Sequence, residues 1–543
     1  MPAAPLLSIP LQNPGSKGLN TLDSSNILDV SWAVELDNAV FDNAGRIAAR
    51  KGWTKLTSSG SPGAHNIEQI HCWEDGTNTV VISASNNDIF YGTTTLASKK
   101  GALTPTANNW QFLNWDDGTN KKIVAWQKSH APIVSTVTGT TPGNFAAIVA
   151  STGTVPAGNC VMSAWGRLWA SDSDNLTIKY SGLLNETQWS SGGAGSFDTR
   201  YYWPRNGDFI TALATYQDKL VVFGRKNILI YGGTLSPSSS LALVDSVEGV
   251  GCVARDSVQS LGNDLIFLSE TGLRSLNRTL AVDRGTGSLT PLQEVASQAR
   301  DTILSYVFGN ETAIRSCYNV KEGFYVLAIP NSTQHVVFII DLKGLKTQGL
   351  LGNEQIDIDR ARVARWTGWS TYGLAYGRNQ VMYGGFADTT DSNNGVIGWY
   401  TGYLDNATSY TFSWKSPWID LGAQDQGESG NFLKIPKEMQ IYTVGYAGGT
   451  YAVTHGYDFN TIYFANNITI PGNGSATSEW GTPGSEWGLS EYGYSTTFNI
   501  EKNKSYMLSS GQVIQIGVSA SISSNAFALQ RIDIYLKRGR SAR

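Results

Sequence analysis

Two copies of one acidic turn are the first residues whose types and spacing could do chemistry. Trp73-Glu74-Asp75-Gly76-Thr77-Asn78 and Trp115-Asp116-Asp117-Gly118-Thr119-Asn120 each set two adjacent carboxylates before a glycine, with the tryptophans 42 residues apart. Paired carboxylates can ligate a cation, but no further ligands are spaced around either pair. Asp-Gly is also the sequence of a tight hairpin turn, and the tryptophan before it can pack on a neighbouring sheet. The hairpin is therefore the expectation, and no metal or cofactor is expected. DTTDSNNG from Asp388 to Gly395 is rich in Asp and Asn but lacks the closing glutamate of a calcium loop, so it reads as a solvated hairpin tip. None of the histidines (His65, His71, His130, His335 and His455) sits in a nucleophile motif such as G-x-S-x-G, so no catalytic triad is expected. Cys72, Cys160, Cys252 and Cys317 form no C-x-x-C pair and are expected as reduced core thiols.

The elements that must carry these turns repeat too. WGRLWASDSDNLTIKYSG (165–182), QDKLVVFGRKNILIYGG (217–233) and GNDLIFLSETGLRSLN (262–277) share a polar turn, an apolar strand opening at leucine, a few polar residues and a second apolar strand. Their leading leucines, Leu168, Leu220 and Leu265, fall 52 and 45 residues apart. Short strands joined by tight turns at this period predict propeller blades, because one such unit cannot bury its own face and must stack on a neighbour. Turns from Trp73 to Gly377 give seven candidate hairpins. The expected fold is all-β: a β-propeller of six or seven blades over 61–410, preceded by an extended arm and first strand (1–60). A C-terminal β-rich, sandwich-like domain (411–543) follows.

One helix is predicted as an insertion near 290–309. Leu292, Val295, Ala296, Ala299, Ile303, Leu304 and Val307 share a face, Thr290-Pro291 and Gln293 supply a start, and Gly309-Asn310 a stop. It either covers one propeller face or makes a subunit contact. In the C-terminal domain, SEWGTPGSEWGLSEYG (478–493) repeats an S-E-aromatic-G phrase that cannot form one regular strand. Trp480, Trp487 and Tyr492 are expected either to fold back on their own sandwich or to form a contact surface. Lys537, Arg538, Arg540 and Arg543 make a basic tail, expected to dock on an acidic partner or to remain disordered.

Charge excludes some partners. With 40 basic against 44 acidic residues, the net charge of -4 gives no general attraction to phosphate backbones, so a free nucleic-acid binder is not expected. The 58 glycines and 24 tyrosines beside 5 methionines suit a turn-rich β protein. No apolar run reaches the length of a membrane span, and MPAAPLLSIPLQNPG lacks a basic and apolar leader, so a soluble protein made in a cytoplasm is expected.

Several ordered phrases carry a resemblance. They are Gly18-Leu19-Asn20-Thr21-x-Asp23, Asp42 to Ile47 (DNAGRI) and Arg50 to Trp53 (RKGW) near the start. SGLLNETQW (181–189), ITAL (210–213), LVVF (220–223), GCVARDS (251–257) and GNDLIFLSETGLRS (262–275) follow, and WKSPWIDLG (414–422) comes last. Together they resemble the tail tubular B, or nozzle, family of short-tailed bacteriophages, over about 16–60, 160–280 and 412–445. The resemblance implies a structural virion protein of the viral tail, assembled in the host cytoplasm, with no catalytic residue to carry over and no enzymatic activity. It implies a homo-hexamer forming the distal conduit for genome ejection, with a neutral to acidic lumen. The implied partners are the tail adaptor protein, the tail fibres, viral double-stranded DNA passing without sequence-specific binding, and the host cell surface. Nothing in 57–160 or 450–500 matches these phrases. The alternative is a glycan-binding or glycan-hydrolysing propeller, although W-[ED]-D-G-T-N lacks the trailing tryptophan of sialidase-type turns. A WD40 scaffold is weakened by the absence of any G-H paired with a W-D.

Overall fold

Seven antiparallel sheets succeed one another and close into a ring in this computed structural model. It describes the chain except residues 1–5, 43, 205–206, 234–240, 263, 284–293, 331–334, 344–360, 421–431, 446–448, 471–499, 524 and 542–543. The innermost strands, in order, are Gln69–Glu74, Gln111–Asp116, Val161–Ala164, Ile210–Tyr216, Gln259–Ser260, Arg315–Asn319 and Gly373–Tyr376. They define blades 1 to 7. We call the end at which these strands begin the leading face, and the end at which they turn into the second strands the turn face.

Each sheet is sandwiched between two others, so its second strand is buried on both sides and reads as a continuous apolar run rather than an alternating one. Lys219–Gly224 and Leu265–Ser269 show this, and Leu168, Leu220 and Leu265 all head second strands. Trp73 packs among Trp110, Phe112 and Ile123 of blade 2, and Trp115 among Val161, Leu168 and Trp189 of blade 3. The ring closes when Trp53–Lys55, from the N-terminal segment, pairs with Asn394–Tyr400 as the outer strand of blade 7. Trp53 then stacks on Phe386 with centroids 4.0 Å apart.

The remaining strands form two facing sheets. Phe432–Gly445, Ile500–Tyr506 and Phe527–Ser541 build one, and the N-terminal strands Leu7–Gln12, Ala39–Phe41 and Ile47–Ala49 complete it. The other continues a blade. The outer strand of blade 6, Arg362–Thr367, meets Glu35–Asp37, which pairs with Tyr410–Lys415, and hydrogen bonding runs on through Ile514–Ile522, Thr450–Tyr457 and Phe464–Thr469. Propeller and sandwich thus share one nine-stranded sheet. Within 6–49, expected as an extended arm, Leu7–Gln12, Glu35–Asp37, Ala39–Phe41 and Ile47–Ala49 are instead strands of these two sheets. Leu7–Gln12, Glu35–Asp37 and Ile47–Ala49 gain hydrogen-bonding partners from more than three hundred residues away, which local pattern does not show.

The expected helix is shorter than predicted. Residues 294–296 form a bridge and turn, Ser297–Ala299 is a 3-10 turn, and the α-helix spans Arg300–Val307. A bridge between Glu294 and Arg274 of blade 5 extends the backbone there. The proposed start at Thr290, Pro291 and Gln293 lies outside the described residues. The apolar face behaves as expected: Val295, Ala296, Ala299, Ile303 and Val307 are buried in the core shared with blades 5 and 6. A second helix, Leu276–Asp283, was not anticipated. Trp480, Trp487 and Tyr492 lie outside the described residues. The basic tail is not a loose tail up to residue 541: Lys537, Arg538 and Arg540 belong to Phe527–Ser541, with Ile435 opposite Lys537 and Lys434 opposite Arg538. Among the described residues no helix is long and apolar enough to cross a membrane.

Candidate functional site

The twin acidic turns are spent on their own backbone. Asp75 Oδ1 accepts from the amides of Thr77 (2.9 Å) and Asn78 (2.7 Å), and Asp117 Oδ1 from those of Thr119 (2.8 Å) and Asn120 (2.6 Å). The amides of Asn78 and Thr77 hold the Asp75 carboxyl down at about 2. Burial works to raise Asp117, but Lys122 and the turn amides outweigh it and hold it well below the usual carboxylate range. Lys122 is clamped between Asp117, at 2.6 Å, and Glu186, which also accepts from Trp115 Nε1. These carboxylates fasten hairpins and adjacent blades.

The leading face holds a denser polar constellation. Arg255 lies on the turn Arg255–Ser257, which enters blade 5, and reaches across the axis. Its Nη1 donates to the carbonyl of Asn159 (2.8 Å), before blade 3, and its Nη2 to that of Asn109 (2.9 Å), before blade 2. Asp256 pairs with Arg255 at 2.8 Å and with Arg315, which opens blade 6, at 3.3 Å. Arg315 Nε donates to the carbonyl of Glu68 (3.0 Å), before blade 1, and its Nη1 to those of Thr312 and Ile314. Burial alone would raise the Asp256 carboxyl, but the two guanidiniums keep it below its ordinary value. Five blades are therefore tied at the axis through one ionic knot.

Beside this knot is a cavity of about 660 Å³, between blades 6, 7, 1 and 2. Glu68, Arg315, His335, Tyr372 and the amide side chains of Asn66 and Asn108 are on its wall. Asn108 Nδ2 donates to Glu68 Oε1 (3.2 Å) while its Oδ1 accepts from the amide of Asn87 (2.7 Å). The Tyr372 hydroxyl and His335 Nε2 are hydrogen bonded at 2.8 Å. Burial lowers the His335 value, which favours neutral imidazole. A second cavity, of about 430 Å³, opens on the turn face among Trp165, Gln217, Asp218 and Asp264, the turns of the three repeat copies. Asp264 there is engaged by the amides of Leu265 and Asn277.

The third constellation is the joint between propeller and sandwich. Arg50, fully buried, links the strands Ile47–Ala49 and Trp53–Lys55 and forms a bidentate pair with Asp405 at 2.8 and 2.6 Å. Its Nε donates to Asn38 Oδ1 (2.9 Å), and its guanidinium lies 4.0 Å from the Tyr410 ring. The Tyr410 hydroxyl donates to the Arg50 carbonyl. Two glycines permit the close approach. A Cβ on Gly52 would sit 2.0 Å from the Leu404 carbonyl oxygen, and one on Gly18, at φ +92°, would sit 2.7 Å from the Val363 nitrogen. Ser416 accepts from the Ile516 amide (2.9 Å), and the Trp418 amide donates to Ser25 (3.0 Å).

Of the residues singled out from sequence, the acidic turns and Arg50 have defined structural partners. The leading-face groups Glu68, Asn108, Arg315, His335 and Tyr372 were missed. The available signal was a charge set inside an apolar run, in GCVARDS and AIRSCY.

No family model matches the chain, and no curated protein sequence matches it. Solved structures that align include an exo-β-1,3-galactanase from Phanerochaete chrysosporium with galactose, 11% identical, covering 90% of this chain and 100% of that one at a TM-score of 0.26. The AfRom2 CNH domain is 9% identical and covers 64% of this chain and 98% of that one, with a TM-score of 0.33. TmCBM61 in complex with β-1,4-galactotriose is 10% identical over 29% of this chain and 70% of that one, at 0.14. The expectation of a chain without enzymatic activity is corrected here, because the galactanase aligned over most of the chain is an enzyme. That expectation is dropped. The propeller itself rests on strand order and ring closure.

Proposed function

We propose that this chain is a structural subunit of the distal nozzle of a short bacteriophage tail, a homo-hexameric conduit for genome ejection that meets the adaptor ring and the tail fibres. The observation that supports it is where the family-like phrases fall in the fold. Gly18, Arg50, Gly52, Trp414, Ser416 and Trp418 fasten the N-terminal strands, the propeller and the sandwich to one another. A tube segment has to carry load between the partner above and the surface below. A hydrogen-bonded sheet running from blade 6 through the sandwich supplies that continuity, while loops on both propeller faces remain for heterologous ring contacts.

Antibody labelling of purified tailed particles tests the proposal. Label at the tail end away from the head is expected; chain abundant in the lysate but absent from the particles would overturn it. A second reading, a glycan-binding propeller, is favoured by the polar leading-face cavity.

A further inference from the structure

We infer that the leading-face cavity is a binding site for a neutral glycan, with Glu68, Asn108 and Tyr372 as its principal polar contacts. The inference deepens the glycan-binding reading and rests on it. At about 660 Å³ the cavity has the size of small-ligand sites, and its wall is polar, carrying amide side chains beside one carboxylate and one phenol. Amide and carboxylate are already coupled. Asn108 is held by Glu68 and the Asn87 amide, and no hydrogen bond among the described residues engages Glu68 Oε2. A sugar hydroxyl both donates and accepts, so neighbouring hydroxyls can give a proton to that oxygen and take one from an amide. The Tyr372 hydroxyl, bonded to His335 Nε2 at 2.8 Å, keeps acceptor capacity for a sugar hydroxyl, and its ring, edge-on to His335 with centroids 4.5 Å apart, adds an aromatic surface.

Charge selects among sugars. The Arg255 and Arg315 guanidiniums are balanced by the Asp256 and Glu68 carboxylates, and Arg315 already donates to three backbone carbonyls. An anionic ligand would therefore find no spare positive charge, and Glu68 would repel it. The wall is also preorganised, because the ionic knot pins the strand starts that carry it, so little ordering cost falls on binding.

The test is calorimetric titration of the whole chain with neutral glucose-, galactose- and mannose-containing oligosaccharides and with uronate-containing and phosphorylated ones. Neutral sugars are expected to bind. Glu68→Gln and Tyr372→Phe should each weaken them by about 10-fold or more, with unchanged thermal melting. Asp218→Asn at the turn face should change nothing. A preference for acidic sugars would overturn the inference while leaving a glycan-binding protein, and no sugar binding at millimolar concentration would overturn both. Neutral binding that survives both Glu68→Gln and Tyr372→Phe would place the ligand elsewhere and also overturn it.

Discussion

Replacing Arg50 with methionine tests whether the joint holds the molecule together. The substitution keeps most of the volume and the stacking surface toward Tyr410 but removes the hydrogen bonds to Asp405, Asn38 and the Lys51 carbonyl. Asp405 is then left as a largely buried carboxylate without its guanidinium, its side chain 11% exposed. Breaking one partner of a buried pair costs about 3–5 kcal/mol, because the remaining charge keeps its desolvation penalty. Removing both charges with Arg50→Met/Asp405→Leu should recover part of that loss, giving a coupling of at least about 1 kcal/mol. Guanidinium denaturation followed by tryptophan fluorescence reads both variants. Arg200→Met, at a surface pair 3.9 Å apart whose arginine is 55% exposed, is the control and should move stability by less than about 0.5 kcal/mol. A loss below about 1 kcal/mol for Arg50→Met, or simple additivity with Asp405→Leu, would refute the argument.

The acidic turns predict a pH dependence. The folded Asp75 value, about 2, lies below the unfolded one, so its stabilisation is complete above about pH 4 and is lost as pH falls toward 2. Asp75→Asn should flatten that acid limb in urea titrations at stepped pH, and coincident acid limbs would contradict the assignment. Gly18→Ala and Gly52→Ala drive a methyl group into the backbone of Val363 and Leu404 and should each cost about 3 kcal/mol in denaturant, whereas unaltered midpoints would mean those approaches are not tight. Burial pushes Cys72 and Cys252 up to about 12 and Cys160 to about 11, so a thiol reagent at pH 8 should label the folded chain slowly and all four cysteines once unfolded. Rapid labelling of the folded chain would contradict this.

How legible each part was follows from the range of the forces that build it. The blades were visible because a second strand buried on both sides must be an unbroken apolar run, as at Leu220 to Phe223, and because Asp75 and Asp117 set their turns through bonds to residues two and three positions on. The closing strand was half legible: Trp53 announced a strand, but its partner Tyr400 is set by ring closure. Glu35–Asp37 was invisible, since three residues carry no period and the strand exists by pairing with Ser413, Trp414 and Lys415. The helix was overcalled because Val295, Ala296 and Ala299 are apolar for burial rather than for helical spacing. The cavity was not legible at all. Glu68, Asn108, Arg315 and Tyr372 stand at the starts of four inner strands, and only closure of the ring brings them to one wall.

The most direct measurement of the central proposal is an electron cryomicroscopy reconstruction of the tail, without imposed symmetry, from particles encoded together with this chain. The account predicts copies of the seven-bladed ring and its fused sandwich arranged around a sixfold axis at the distal end, with the shared nine-stranded sheet intact. A tail whose distal segment contains no such ring, or contains it with a symmetry other than six or twelve, would contradict it.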